Sequence, residues 1–417
     1  MNYDQVLCRR VAQVPPSGIR KFFDIVNVMD DVVSLGVGEP DFKTPWDYTD
    51  AAIYSLRSGH THYTSNWGLL ELRKWIARYQ AERFGPEYNP ENEILVTVGA
   101  SEGIDLAVRA LVENGDEVLV PDPSYVSYMP CITFAGGVCV PIPTDMEHGF
   151  KLTPEALRAA ITPRTKALIL PYPNNPTGGV MTREDYEGIA KVLRDTNIVV
   201  IHDEIYAELT YEGQHHVSFA AIPGMWERTI TLNGFSKAFA MTGWRLGYAC
   251  GPKELMAVLC RIHQYTMLCA PIASQYAGVE AIHKGFDTDF ADVRRMVAAY
   301  DRRRRMLVDG FREAGLSCHE PLGAFYVFPS IRSTGMKSEA FCEKLLYGQR
   351  VATVPGTAFG ALGEGHIRCS AASSNDNIRK ALDRIKAFLD SISGGGQCPL
   401  PPAASGESPL PPAAAQE

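Results

Sequence analysis

TITLNGFSKAFAMTGWRLGYAC, residues 229–250, is the stretch from which the rest of the chain can be read. Residues 229–232 form a short apolar run of strand composition, and 245–250 form another. The loop between them holds one lysine, Lys237, among Phe235, Ala238, Phe239, Ala240 and Met241. Such surroundings lower an ammonium pKa, because burial penalises the charged form. Arg245 follows eight positions later, beside Gly243 and Trp244.

Working outward, the same grammar repeats. Residues 93–98 (EILVTV), 117–120, 166–170 (KALIL) and 198–201 (IVVI) predict further strands, with helices over 101–112 and 183–194. Near-continuous apolar strands alternating with helices indicate an α/β fold whose parallel-rich sheet is covered on both faces. After residue 285 the pattern changes. A long charged helix is predicted over 287–314, then a short strand at 324–328 and helices over 338–346 and 375–389.

Open α/β sheets bind ligands beyond the carboxyl ends of their strands. Run 93–98 is followed by Gly99-Ala100-Ser101-Glu102, small residues opening a helix whose free N–H groups suit an anion. A plain helix cap is the commoner reading of that segment alone. Run 166–170 is followed by Pro-Tyr-Pro-Asn-Asn-Pro-Thr-Gly, by itself a turn. Run 198–201 is followed by His202-Asp203-Glu204-Ile205-Tyr206, where an acid can cap a helix, ligate a metal or face a cofactor. Together these ends place an anion cradle, an Asn, an Asp, a Tyr, a Lys and an Arg at one sheet edge. An imine-forming lysine, an acid for a ring nitrogen and a phosphate cradle are the requirements of pyridoxal phosphate.

The resemblance then becomes specific. SLGVGEPDFKTP (34–45), HYTSNWGLLELR (62–73), TVGASEGID (97–105), PDPSYVSY (121–128), PNNPTGG (173–179), DEIYAEL (203–209), NGFSKAFAMTGWRLGY (233–248), GAFYVFP (323–329) and HIRCS (366–370) occur in this order. The chain resembles the class I/II aminotransferases, pyridoxal-phosphate enzymes of fold type I, in the branch with prokaryotic aspartate and aromatic aminotransferases. The resemblance spans about residues 17–390. It implies a large domain with a mostly parallel seven-stranded sheet plus a smaller α+β domain. Residues 1–44 would form an N-terminal arm and part of the small domain, 45–285 the cofactor domain, 286–393 the small domain and 394–417 a disordered tail.

Residue by residue, the resemblance makes Lys237 the Schiff-base lysine and Asp203 the partner of the pyridine nitrogen. Tyr206 and Asn175 would bond the cofactor's phenolic oxygen, and Tyr125 would stack on its ring. Ala100, Ser101, Ser236 and Arg245 would hold the phosphate, and Tyr63 would reach the phosphate of a neighbouring subunit in a homodimer with shared sites. Arg368 would grip the substrate α-carboxylate in a bidentate pair, assisted by Gly38 and Asn175. The substrates implied are an L-amino acid and a 2-oxo acid, exchanging the amino group in a ping-pong cycle. Ser101 stands where some aspartate-preferring relatives carry a lysine. Phe325, Tyr326 and Ile19 would make the side-chain pocket partly apolar, so an aromatic or mixed donor suits it as well as aspartate.

Composition narrows the alternatives. The 417 residues are 46% hydrophobic and 21% charged, an ordinary globular balance. A net charge of −8 and a pI near 5.7 argue against nucleic acid or an anionic membrane as partner. The basic run Arg302–Arg305 lies in a helical pattern and is expected to form a solvated face. Ten scattered cysteines lack any Cys-x-x-Cys pair, so buried reduced thiols and a cytoplasmic setting are expected. Residues 1–13 lack an apolar signal core, and no run reaches the ~18 apolar residues of a membrane span. From Gly394 onward the Gly, Pro, Ala and Ser composition predicts disorder. His215, His216 and Cys369 show no metal-ligand spacing, and Glu102 and Glu204 are read as structural. A β-eliminating lyase on the same scaffold and a non-catalytic ligand sensor are the competing readings. Retention of Lys237 and the absence of a helix-turn-helix segment before Gly38 disfavour the sensor.

Overall fold

The computed structural model describes residues 1–16, 18 and 29–393. Its strands, in chain order, are β1 (Val33–Ser34), β2 (Ile94–Thr97), β3 (Glu117–Asp122), β4 (Val138–Pro143), β5 (Thr165–Leu170), β6 (Val199–Asp203), β7 (Thr229–Gly234), β8 (Gly247–Cys250), β9 (Tyr326–Val327), β10 (Val351–Ala352), β11 (Val354–Pro355) and β12 (Ile367–Ser370). Seven form one sheet in the order β2-β8-β7-β6-β5-β3-β4. β8 runs antiparallel to both its neighbours, and every other pairing in that sheet is parallel.

The apolar runs become strands because both of their faces can be buried. Val118, Val120, Ala167, Ile169 and Ile201 pack with Ile104 and Val108 of helix Ala100–Leu111 and with Met256 and Leu259 of helix Lys253–Thr266. Their alternates Leu119, Leu168, Leu170 and Val200 pack with Leu157 of helix Pro154–Ala160 and with Tyr186, Ile189 and Leu193 of helix Arg183–Leu193. The period of two along each strand therefore divides one sequence run between two cores.

Beyond the large sheet, β1 pairs in parallel with β10, and β11-β12-β9 form a small antiparallel sheet. Helices Ala291–Glu313, Ser338–Gln349 and Asn375–Ser393 belong to this C-terminal region. One apolar cluster runs from Val33 and Leu35 through Leu72 and Tyr248 to Phe341 and Ile385. The expected second unit thus shares core with the first.

Three expectations change. The predicted helix over 287–314 starts later, as Ala291–Glu313, because Asp289 and Phe290 take left-handed φ of 51° and 53° and separate it from the preceding helix Ile272–Asp287. Strand β4 had no counterpart in the reading, because Pro141 and Pro143 argue against a strand; it lies at the sheet edge, where proline is tolerated. The basic run is not a uniformly solvated face. Arg304 is 1% exposed. It lies on the inward stripe with Tyr300, Leu307 and Phe311, and its charge is met by Asp301, Glu212 and Glu320. Among the described residues no helix is long and apolar enough to cross a membrane. The nine described cysteines are all unpaired. Ile19 and the 394–417 tail lie outside the described residues.

Candidate active site

Strands β2, β5, β6 and β7 end around one cavity of about 610 Å³. Asp203, the last residue of β6, lies at its floor and is buried. Tyr128 Oη donates to Asp203 Oδ2 at 2.7 Å, and the Ile205 N–H donates to Oδ1 at 3.2 Å. Burial pushes this carboxyl above its ordinary pKa, while those two hydrogen bonds favour the anion. A cation held at the floor would favour the anion further.

Lys237 stands in the turn after β7, with its Nζ donating to the carbonyl oxygen of Gly38 at 2.7 Å. Burial first, then the Arg368 guanidinium, brings its ammonium down to about 8, against the opposing pull of Glu39 and Asp203. Near neutral pH the lysine therefore has an appreciable share of free amine, the form that attacks a carbonyl.

At the other end of the cavity the chain turns sharply from β2 into helix Ala100–Leu111. Gly99 makes this turn with φ 78° and ψ 163°, a conformation open essentially to glycine alone. No side chain caps the helix, so its first N–H groups, at Ala100 and Ser101, face the cavity mouth. Arg245 approaches from the β8 side in a left-handed conformation, φ 51°, and donates through Nη1 to Thr242 O at 3.0 Å. Ser236 completes this end. Helix N-terminus, hydroxyls and guanidinium together make an anion cradle.

Opposite it, Arg368 of β12 is 2% exposed. It donates through Nη1 to Asn175 Oδ1 at 3.0 Å and through Nη2 to Gly36 O at 2.6 Å. Its buried Nε has no protein partner. The guanidinium lies 4.4 Å from the Tyr326 ring centroid and 4.7 Å from that of Phe359. A Cβ on Gly38 would come 3.0 Å from Tyr326 Oη and 3.6 Å from Arg368 Nη2, so glycine keeps the approach to the guanidinium clear. Tyr125 and Tyr206 wall the space between the two ends, the Tyr206 hydroxyl bonding that of Tyr326 at 2.8 Å.

The profile of the family "Aminotransferase class I and II" matches residues 30–385. Bacillus subtilis YugH, provisionally named an aminotransferase, is 50% identical over 91% of this chain and 97% of its own length. Aromatic-amino-acid aminotransferase 2 of Thermococcus litoralis is 40% identical, covering 92% of this chain and 98% of its own. The solved structure of Thermus thermophilus aspartate aminotransferase with maleate superposes with a TM-score of 0.87 at 39% identity, covering 91% and 99% of the two chains. This chain belongs to the class I and II aminotransferases. It is an enzyme of that activity and depends on pyridoxal phosphate.

The aminotransferase cavity suits that cofactor. It joins an anion cradle at one end to a buried carboxylate at the floor and a buried lysine above it, and Arg368 keeps an unpartnered N–H within the buried site. Gly38, Ala100, Ser101, Tyr125, Asn175, Asp203, Tyr206, Ser236, Lys237, Arg245 and Arg368 all line it. Tyr63 does not; it stands 82% exposed on the surface. Tyr326 lines the cavity, whereas Phe325 is fully buried behind it, edge-on to Tyr206 at 5.5 Å. Glu39, Thr242 and Tyr128 also line the aminotransferase site and were not singled out in the sequence. The three-residue step from Tyr125 to Tyr128 was the available signal for Tyr128, since it brings both rings to one side of a helical turn.

His216 departs from its bland reading. It meets His202 and Glu204 in a buried group whose ligand-type atoms lie within 4.8 Å of one another. His202 Nδ1 already accepts the Phe219 N–H, its Nε2 meets the Tyr186 hydroxyl, and Ser218 donates to Glu204. His202 and Glu204 are thus bonded into the core on either side of Asp203, and His216 Nε2 lies 3.3 Å from Glu204 Oε2. Glu102 accepts the Val98 N–H and contacts His263, the structural part expected of it.

Proposed function

We propose that this aminotransferase moves the amino group of an L-amino acid to a 2-oxo acid through Lys237, with the side-chain roles stated from the sequence. The observation that carries the reading is the placing of Lys237 between Asp203 and Arg368 in one cavity. Pyridoxal phosphate, when bound, supplies an electron sink for the carbanion formed at the substrate α-carbon. Asp203 would keep the ring nitrogen protonated, and Asn175 and Tyr206 would bond the phenolic oxygen. Tyr125 would cover the ring. Ala100, Ser101, Ser236 and Arg245 would hold the phosphate, joined by Tyr63 of a second copy. Arg368, with Gly38 and Asn175, would fix the α-carboxylate, and Lys237, once displaced, would carry the α-proton as general base and acid.

Lys237, Arg245 and Arg368 are the basic residues lining the cavity, and each already has a part in this scheme. Among the described residues, a distal carboxylate finds no further cation lining the cavity, while Tyr125, Ile104 and Tyr326 add apolar wall. An aromatic or mixed amino donor fits as well as aspartate. We further propose a cytoplasmic homodimer, supported by the unpaired cysteines and by the exposed Tyr63. Reduction of the cofactor-loaded protein with borohydride, followed by peptide mapping, should find the label on Lys237. A panel of amino donors and oxo acids should show reversible amino transfer. Label on another lysine would remove the assignment, and pyruvate with ammonia released from a β-substituted donor, without transfer, would favour the lyase.

A further inference from the structure

Tyr326 places a hydroxyl where the two halves of the site meet, and the scheme above gives that hydroxyl nothing to do. Its oxygen lies 2.8 Å from Tyr206 Oη and 3.5 Å from the carbonyl oxygen of Gly38. Its ring lies 4.4 Å from the Arg368 guanidinium. The residue is 1% exposed, so little water competes for these contacts.

A phenol has a single proton. If Tyr206 gives its proton to the phenolic oxygen of the cofactor, the 2.8 Å contact persists as a hydrogen bond only with Tyr326 as donor. We propose that Tyr326 is a positioning residue that couples substrate binding at Arg368 to the proton affinity of the Lys237 nitrogen, by donating to Tyr206 from a ring that senses the guanidinium charge. The proposal rests on the reading that Lys237 carries the cofactor and that Tyr206 faces its phenolic oxygen. Hydrogen bonds in a chain polarise one another, so a donor behind Tyr206 makes Tyr206 the stronger donor. A cation on the Tyr326 ring strengthens that first donor in turn. A substrate carboxylate on Arg368 cancels the charge and relaxes the whole chain. The lysine-bound nitrogen is then held unprotonated at rest and gains proton affinity as substrate docks, when the substrate ammonium has a proton to give.

The charged groups around Lys237 are Arg368 and Arg245 against Glu39 and Asp203. Of these, Arg368 is the one whose charge the α-carboxylate would cancel. Arg368 could also act on the lysine directly through space, and Tyr326→Phe separates the two routes. It keeps the ring and the guanidinium and removes only the hydroxyl.

The experiment titrates the absorbance band of the lysine-bound cofactor with pH, with and without saturating 3-phenylpropionate, a carboxylate that has no amine to react. Wild type, Tyr326→Phe, Tyr206→Phe and the double variant are compared. Tyr326→Phe should raise the titration midpoint by about 0.5–1 pH unit, the worth of one hydrogen bond. It should also lose at least half of the further rise caused by the carboxylate. In the Tyr206→Phe background the second substitution should move nothing more. An unmoved midpoint in Tyr326→Phe, or an equal shift in both backgrounds, would overturn the coupling. Wild type without a pH-dependent band, or a band that survives Lys237→Ala, would instead overturn the reading of the site on which the coupling stands.

Discussion

Lys237 shows how burial and charge set one group's chemistry. Its ammonium is lowered from 10.5 to about 8, with burial as the main cause and Arg368 next. The sign for stability follows from proton counts. Between about pH 8 and 10.5 the unfolded chain holds a proton on this lysine that the cofactor-free folded chain has released, so stability rises with pH across that window. Below about 8 both states hold the proton, and the folded state bears the full cost of a buried ammonium. At 1.36 kcal/mol per unit that cost is about 3 kcal/mol. Cofactor-free Lys237→Met, which buries no charge, should therefore be more stable than wild type at pH 7, and the gap should close as pH approaches about 10. Urea unfolding midpoints across this range measure it; a gap that does not vary with pH would remove the buried-charge account. The lysine was legible in the sequence because it stands alone among apolar neighbours after a strand, and Asp203 because it lies in a polar segment that ends the apolar run 198–201. Tyr128 was not, since its spacing from Tyr125 was the one local signal and the carboxylate to which it donates lies 75 residues away.

Among the elements, the turn from β2 into helix Ala100–Leu111 shapes the anion end of the site. Gly99 holds a backbone conformation that costs other residues about 1–3 kcal/mol. A Cβ there would also come 2.7 Å from Arg245 Nη2. Gly99→Ala should consequently do two things at once: lower stability by about that amount and displace the guanidinium from the cradle. Thermal unfolding of the cofactor-free protein reads the first effect, and cofactor release by dialysis or fluorescence reads the second. A variant that loses stability yet retains cofactor as well as wild type would show that Arg245 does not hold the phosphate. Elsewhere, strands and helices with long apolar runs were readable, because burial on both sheet faces leaves a continuous signature. β4 was hidden by Pro141 and Pro143, which only an edge position admits. The start of helix Ala291–Glu313 was read four residues early, because the left-handed pair Asp289 and Phe290 carries no glycine or proline to mark it.

At the scale of the molecule, the surface bears apolar groups that one chain leaves uncovered. Tyr63 is 82% exposed, Tyr265 84%, Leu56 50% and Met267 46%. Asn66, close to Tyr63, donates to Leu268 O and ties the loop of Tyr63 to the helix end bearing Tyr265 and Met267, whereas Leu56 lies on helix Trp46–Arg57. A second copy seated over this region would cover them and bring its Tyr63 to the phosphate end. Mixing inactive Lys237→Ala subunits with Tyr63→Phe subunits tests the arrangement. Each mixed dimer would pair an intact Lys237 site with an intact Tyr63 from the other chain. Retention of the pyridoxamine form, weakened roughly 10- to 150-fold in Tyr63→Phe by loss of one charged hydrogen bond, should recover at one site per dimer. No recovery after verified subunit exchange, or a fully active monomer, would count against shared sites.

The chain's periodicities by themselves determined the alternation of strands and helices and, through it, which residues stand at one edge of the sheet. That is local information: a run of apolar residues needs burial wherever it lies, and successive parallel strands end on the same side. Only the tertiary structure decided which side chains meet. Lys237 reaches Gly38 across 199 positions, Arg368 reaches Asn175 across 193, and Tyr206 reaches Tyr326 across 120. The burial of Arg304 within a charged run was decided at the same level, by the helix stripe on which position 304 falls and the acidic groups packed against it. These are contacts between elements, and their partners follow from how the layers stack, which no stretch of the chain encodes alone.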